Sequence, residues 1–154
     1  MLIVALSVSP TSCGWSVFDG PLLIGSGAIG NHNLAPVDYA RAVAYSVRRA
    51  TKGHTNGTPV DVFYETRGWR IRGNPQNDVG RILQAIGADS KLLSSKIRYT
   101  PAQAKKDYQL PKQSISRLYA VALGHRAVKA STRAAPVSIQ LTQGPPANDP
   151  DLVV

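Results

Sequence analysis

Leu2 to Leu6 run apolar without a break, the pattern of a central β-strand covered on both faces. Trp15–Phe18 and Leu22–Ile29 follow as further apolar stretches, parted by Asp19-Gly20-Pro21, residues that favour a tight turn. Strands joined this closely predict an antiparallel meander. The period then changes. Val37, Ala40, Ala44 and Val47 recur at helical spacing, with Arg41, Arg48, Arg49 and Lys52 mostly off that stripe, which predicts an amphipathic helix over about 36–51. Gly53 ends it, and Asn56-Gly57-Thr58-Pro59 reads as loop. Val60–Tyr64, rich in β-branched and aromatic side chains, predicts a strand ending at Glu65.

Thr66 to Pro75 is too glycine-rich and basic for regular structure. A helix is expected from Asn77 or Asp78 through Val79, Ile82, Leu83 and Ile86 to Gly87. Its apolar stripe serves core packing and a subunit interface equally well. Ile97–Tyr99 reads as a short strand, and Pro101 opens a helix to about Tyr108. A last helix is expected from about Lys112 to Ala130, burying Ile115, Leu118, Tyr119, Ala122 and Leu123. From Ser131 the periodicity fades and Pro136, Pro145, Pro146 and Pro150 accumulate, so the segment 131–154 is expected to be irregular or mobile. The pattern is that of one α/β domain over 2–130 followed by a tail.

At 154 residues the chain is long enough to bury a core without disulfides or metal. Its charge changes the picture. Eighteen Lys and Arg face nine acids, a net charge of +9, which favours an anionic partner. Arg67, Arg70 and Arg72 surround Trp69, where guanidinium groups can meet phosphates and an indole can stack on an unpaired base. Between Lys91 and Arg133 many basic residues face a single acid, Asp107. The start of the chain lacks a signal-peptide pattern, no stretch approaches the roughly 20 apolar residues of a membrane span, and Cys13 is alone. An intracellular protein is expected (cytoplasm, nucleoid or organelle matrix, with a viral source equally compatible) and no membrane partner.

Ser7-Val8-Ser9-Pro10-Thr11-Ser12-Cys13-Gly14-Trp15 resembles the motif that ends the first strand of RuvC-like Holliday junction resolvases, a group with the ribonuclease-H-like fold. In that family the motif reads like Asp-Pro-Ser-x-Thr-Ser-x-Gly-Trp. The Ser, Thr, Ser, Gly and Trp spacings hold here, and Ser7 stands where the family has its acid. The family's second acid is a Glu ending the strand after the first helix, where this chain has Glu65. The third element, like Asp-x-x-Asp-Ala-Tyr-Ala-Val-Ala, matches Ser114-Ile115-Ser116-Arg117-Leu118-Tyr119-Ala120-Val121-Ala122, with Ser114 and Arg117 in place of both acids. The resemblance covers roughly residues 2–130. It implies a ribonuclease-H-like mixed sheet with an antiparallel three-strand start and helices on both faces.

Resemblance also implies a function and shows where it is damaged. Such nucleases use Mg²⁺ or Mn²⁺ held by several carboxylates, and a hydroxyl is a poor substitute for a carboxylate. With Glu65 as the remnant and Arg117 adding a cation, no metal is expected, and Glu65 is the ligand if any ion binds. Arg117 is expected to approach Glu65 and fill the vacated space. The DNA contacts implied are Arg67, Trp69, Arg70 and Arg72, then Lys105, Lys106 and Lys112 before the last helix. The expected function is binding of branched or four-way DNA by a homodimer, with cleavage weak or lost. The alternatives are an active metal-dependent junction endonuclease using Glu65, and a protein-interaction adaptor reusing the fold. His125, roughly 16 Å along the helix from Ser114, is too far to complete one metal site and is expected to be packed or on the surface.

Overall fold

The computed structural model describes residues 1–54, 60–68, 75–87, 90–92, 98–110 and 114–141. The elements run β1 (Leu2–Val8), β2 (Ser12–Asp19), β3 (Leu22–Gly30), α1 (Pro36–Thr51), β4 (Val60–Thr66), α2 (Pro75–Ile86), β5 (Ser90–Leu92), α3 (Pro101–Asp107) and α4 (Ile115–Leu141). They build a five-stranded sheet in the order β3-β2-β1-β4-β5. The three-strand start is antiparallel, whereas β4 lies parallel to β1 and β5 parallel to β4. Among the described residues no helix is long and apolar enough to cross a membrane.

Successive side chains of a strand point to opposite faces of the sheet, and β1 feeds two cores in this way. Leu2, Val4, Leu6 and Val8 join Cys13, Val17 and Val62 beneath α1 and α2, where Tyr39, Val43, Val47, Val79 and Ile82 close over them. Ile3, Phe18 and Phe63 point the other way, onto Val121, Ala122, Ala127 and Ala130 of α4 and Ala104 of α3. Coverage on both faces explains the unbroken apolar run. Phe18 and Phe63 are fully buried, each stabilising the fold by about 1.5–3 kcal/mol relative to exposure. The stripe of α2 is spent on this core: Val79 and Ile82 are buried and Leu83 and Ile86 pack against them, so core packing claims it.

Glycine decides how closely α4 can lie on β2. A Cβ at Gly14 would sit 1.8 Å from the Ser116 carbonyl oxygen, and one at Gly124 would sit 2.4 Å from the Phe18 ring. Gly14 lets the first turn of α4 down onto β2, and Gly124 lets the helix lie close to β2 further along, at Phe18. On the opposite face, Arg48 of α1 donates to the Ala85 carbonyl at the end of α2 and ties the two helices together.

Three expectations are corrected. The strand expected at Ile97–Tyr99 is absent at Arg98 and Tyr99, which lead into α3 (Ile97 lies outside the described residues). Thr100 there accepts from the Gln103 backbone N–H while the Gln103 side chain accepts from the Thr100 N–H, a capping box that commits the segment to starting a helix. The fifth strand is Ser90–Leu92, too short to show alternation, and the edge of β4 supplies its pairing. The expected irregular tail is helical from Ser131 to Leu141, and residues 142–154 lie outside the described residues. Once nucleated, a helix extends without needing a buried stripe, and Ala134 and Ala135 favour it, while Pro136 adds no N–H to the ladder. Helix α2 starts at Pro75, a residue suited to a helix's first position, and not at Asn77 or Asp78.

Candidate functional site

Parity along the strands places the site. Ser7 shares the α4-facing side of β1 with Ile3, and Glu65 shares that side of β4 with Phe63. The parallel register sets Ser7 beside Glu65, and the Ser7 hydroxyl donates to Glu65 Oε2 at 3.0 Å. Both lie at the carboxyl ends of neighbouring parallel strands, where open α/β sheets tend to bind ligands. Ser12 and Gly14 of β2 face the same way. The close approach at Gly14 lets the Ser12 and Ser116 hydroxyls hydrogen-bond across the junction of β2 and α4.

Two guanidinium groups fill the space between these residues. Arg67 follows Glu65 by two positions and extends the β1–β4 ladder, its N–H donating to the Val8 carbonyl at 3.0 Å. Its side chain folds back over the strand ends. Arg67 Nε donates to Ser7 Oγ at 2.8 Å, its Nη2 donates to Ser116 Oγ, and the guanidinium carbon lies 4.6 Å from the centroid of the Tyr119 ring. Arg126 reaches in from α4 and donates to Glu65 Oε1 at 3.1 Å. Glu65 therefore accepts on both oxygens, from a neutral hydroxyl and from a cation. The Ser7 hydroxyl accepts from Arg67 while donating to Glu65, and so couples the second cation to the carboxylate.

Arg117 does not make the expected contact with Glu65. Its Nε donates to Ser26 Oγ of β3 at 2.7 Å, and the guanidinium on Glu65 belongs to Arg126. The helical phase is the reason. Ser116, Tyr119 and Arg126 are spaced by three and seven, so they share the stripe of α4 that faces Ser7 and Glu65. Arg117 lies one position round, toward the β2–β3 side. Ser114 is exposed, and its Oγ accepts from the Arg117 N–H at 3.3 Å, so it serves as the N-cap of α4. Lys105 and Lys106 are exposed in the last turn of α3. Trp69, Arg70, Arg72 and Lys112 lie outside the described residues.

Sequence reasoning alone misses Ser116, Tyr119 and Arg126 as site residues. One signal was available for Arg126: it is a lone cation on the apolar stretch from Ala120 to Ala127, and a buried stretch tolerates a cation best when it has a partner. Cys13 is buried and burial pushes its thiol up to about 12, which keeps it from acting as a thiolate.

His125 packs, as expected, away from this cluster. It stacks on Tyr99 with centroids 3.6 Å apart, and its Nδ1 shares a hydrogen bond of 2.7 Å with the Tyr108 hydroxyl. Burial and then the neighbouring Lys129 charge hold it below its usual value of 6.5, with Asp107 opposing. A depressed histidine favours the neutral form in the folded state, so its contribution is complete above about pH 6.5 and is lost as protonation is forced at lower pH. Melting temperature is expected to drop between about pH 7 and pH 5, and to drop less in His125→Gln. Parallel melting curves for the two proteins across that range would refute the assignment.

The residues present do not fit a divalent metal ion. Mg²⁺ and Mn²⁺ require several oxygen ligands, carboxylates above all. Among the described residues no group of three or more His, Cys, Asp and Glu side chains comes together. Among the described residues the site offers one carboxylate, already bonded on both oxygens, the hydroxyls of Ser7, Ser12 and Ser116, and two guanidinium groups.

The strand order, the antiparallel start and the helices on both faces define a ribonuclease-H-like α/β fold. No protein-family model matches the chain, and no curated protein matches it in sequence. The likeness lies in structure. RuvC of Thermus thermophilus is similar with a TM-score of 0.60 at 12% identity, over 87% of this chain and 97% of that one. T. thermophilus RuvC in complex with Holliday junction substrate gives a TM-score of 0.55 at 13% identity, over 86% and 96%. At these identities the likeness shows the shared fold.

Proposed function

We propose that this protein binds branched DNA, a four-way junction above all, as a homodimer on a RuvC-like scaffold, and that it cleaves that DNA weakly or not at all. One observation carries the reading. Where a ribonuclease-H-like nuclease would gather carboxylates around metal ions, Ser7, Ser116, Arg67 and Arg126 surround a single Glu65. Two dications at such a site would face one carboxylate and two fixed positive charges.

The case for DNA rests on charge and position. A net charge of +9 suits a polyanion. Lys105 and Lys106 are exposed on α3, which packs against α4. Trp69, Arg70, Arg72 and Lys112 are assigned as further DNA contacts. That T. thermophilus RuvC has been seen in complex with Holliday junction substrate supports the choice of a junction, and two strands of one junction call for two copies of the chain.

Gel-shift titration of a four-way junction and a duplex of matched sequence, followed by incubation with Mg²⁺ or Mn²⁺, tests the reading. Junction binding should be the tighter and should weaken steeply with salt, by about 10³-fold or more from 50 to 200 mM if six or more phosphates are contacted. Strands recovered after incubation should be intact. Symmetric nicking that Glu65→Gln abolishes would establish an active endonuclease instead. Absence of salt-sensitive DNA binding would leave the protein-interaction adaptor.

A further inference from the structure

Arg67 is held by neutral groups. Its hydrogen bonds go to the hydroxyls of Ser7 and Ser116, and its flat face lies over Tyr119. Among the described residues it makes no ion pair, whereas Arg126 has Glu65. A half-buried guanidinium is ordinarily balanced by a carboxylate. Here Glu65 is already matched by Arg126, so Arg67, Arg126 and Glu65 together carry one excess positive charge. Nη1 of Arg67 has no partner among the described residues, while Nε and Nη2 are tied down. The group is therefore oriented before anything binds, which lowers the ordering cost of binding. Two further features point to an anion: the site lies at the carboxyl ends of β1 and β4, and the N-terminal turn of the long helix α4 abuts it through Ser116.

We infer that Arg67 is a phosphate clasp: from between Ser7, Glu65 and Ser116 its guanidinium holds one backbone phosphodiester of the bound nucleic acid, without a metal ion. A phosphodiester carries the single negative charge that the cluster lacks, and guanidinium donors match its oxygens. Glu65 has become a counter-charge that holds Arg126 and, through Ser7, steadies Arg67. This rests on the DNA-binding reading for the source of the phosphate; the site's demand for an anion does not.

The test uses the full chain and a four-way junction, with affinity measured over a range of salt in EDTA and in Mg²⁺. Wild-type affinity should be no tighter in Mg²⁺ than in EDTA, since no metal bridges protein and phosphate and Mg²⁺ competes for the phosphates as a counterion. Arg67→Gln, checked for folding by its melting curve, should weaken binding by about tenfold and reduce the salt slope by about 1. Glu65→Gln keeps one acceptor oxygen, for Ser7 or Arg126, puts an NH2 donor in place of the other and removes the negative charge, so it should bind more tightly; a metal-ligand role would make it bind more weakly in Mg²⁺. Binding that requires Mg²⁺, or an unchanged slope in folded Arg67→Gln, overturns the clasp while leaving junction binding intact. If the wild type binds no junction, or if Arg67→Gln does not fold, titration of the wild type with inorganic phosphate decides. A saturable shift of the Arg67 Nε–H resonance supports an anion site for another phosphate ligand, and no shift overturns it.

Discussion

Replacing Gly14 with alanine is expected to destabilise the protein by about 3 kcal/mol or more, lowering its melting temperature by about 10 °C. The added Cβ would lie 1.8 Å from the Ser116 carbonyl oxygen and 2.2 Å from its carbonyl carbon, both backbone atoms that no rotamer change can move. Helix α4 would have to lift from β2, and Gly124, against Phe18, shows how closely the two are seated. The same displacement would carry Ser116 away from Ser12 and Arg67, so the candidate site would loosen together with the core. Gly80→Ala is the control, because nothing lies within 4 Å of a Cβ there and alanine favours a helix interior by up to about 1 kcal/mol. A Gly14→Ala protein that melts within about 2 °C of wild type would show that α4 does not depend on this contact.

Adding one carboxylate beside Glu65 should not create a metal site while Arg67 remains. Ser7→Asp would place an acid beside Glu65, and the guanidinium whose Nε now lies 2.8 Å from Ser7 Oγ would pair with it. Repulsion is roughly 4 kcal/mol for each pair of unit charges at about 4 Å and an effective dielectric constant of about 20, and a dication doubles it. Ser7→Asp alone is therefore expected to leave Mn²⁺ free at concentrations up to about 10 mM, and Ser7→Asp with Arg67→Ala to bind it at least ~100-fold more tightly. Electron paramagnetic resonance of free Mn²⁺ reads this directly. Equal Mn²⁺ binding by the two variants would show that the guanidinium does not exclude the ion.

Much of the fold is legible in the residues. The limits of α1, the meander, and a strand carrying Glu65 follow from periods of two and 3.6 with turn residues between them. That Ser7 and Glu65 share a site is implied by the resemblance to RuvC-like motifs, and the β1–β4 register places them side by side. Helix α4 is legible as an element but not in its phase. The apolar match over Leu118 to Ala122 draws attention to Ser114 and Arg117, whereas the stripe facing Glu65 is Ser116, Tyr119 and Arg126. Two stripes one residue apart differ by about 100° of rotation, and both are partly apolar here. Strand β5 escapes notice because a three-residue strand has no period of its own.

The sequence by itself determines that this chain makes a two-faced α/β sheet, that it is strongly cationic, and that its strand ends and last helix carry hydroxyls and arginine at the positions where the RuvC-like motifs they resemble carry acids. Those are properties of composition and local order, and they survive without knowledge of distant contacts. Tertiary structure alone decides which cations take the space. Arg67 turns back over Ser7 and Arg126 meets Glu65 because α4 seats against Gly14 at one rotation about its axis, and a helix's rotation is set by what it packs against.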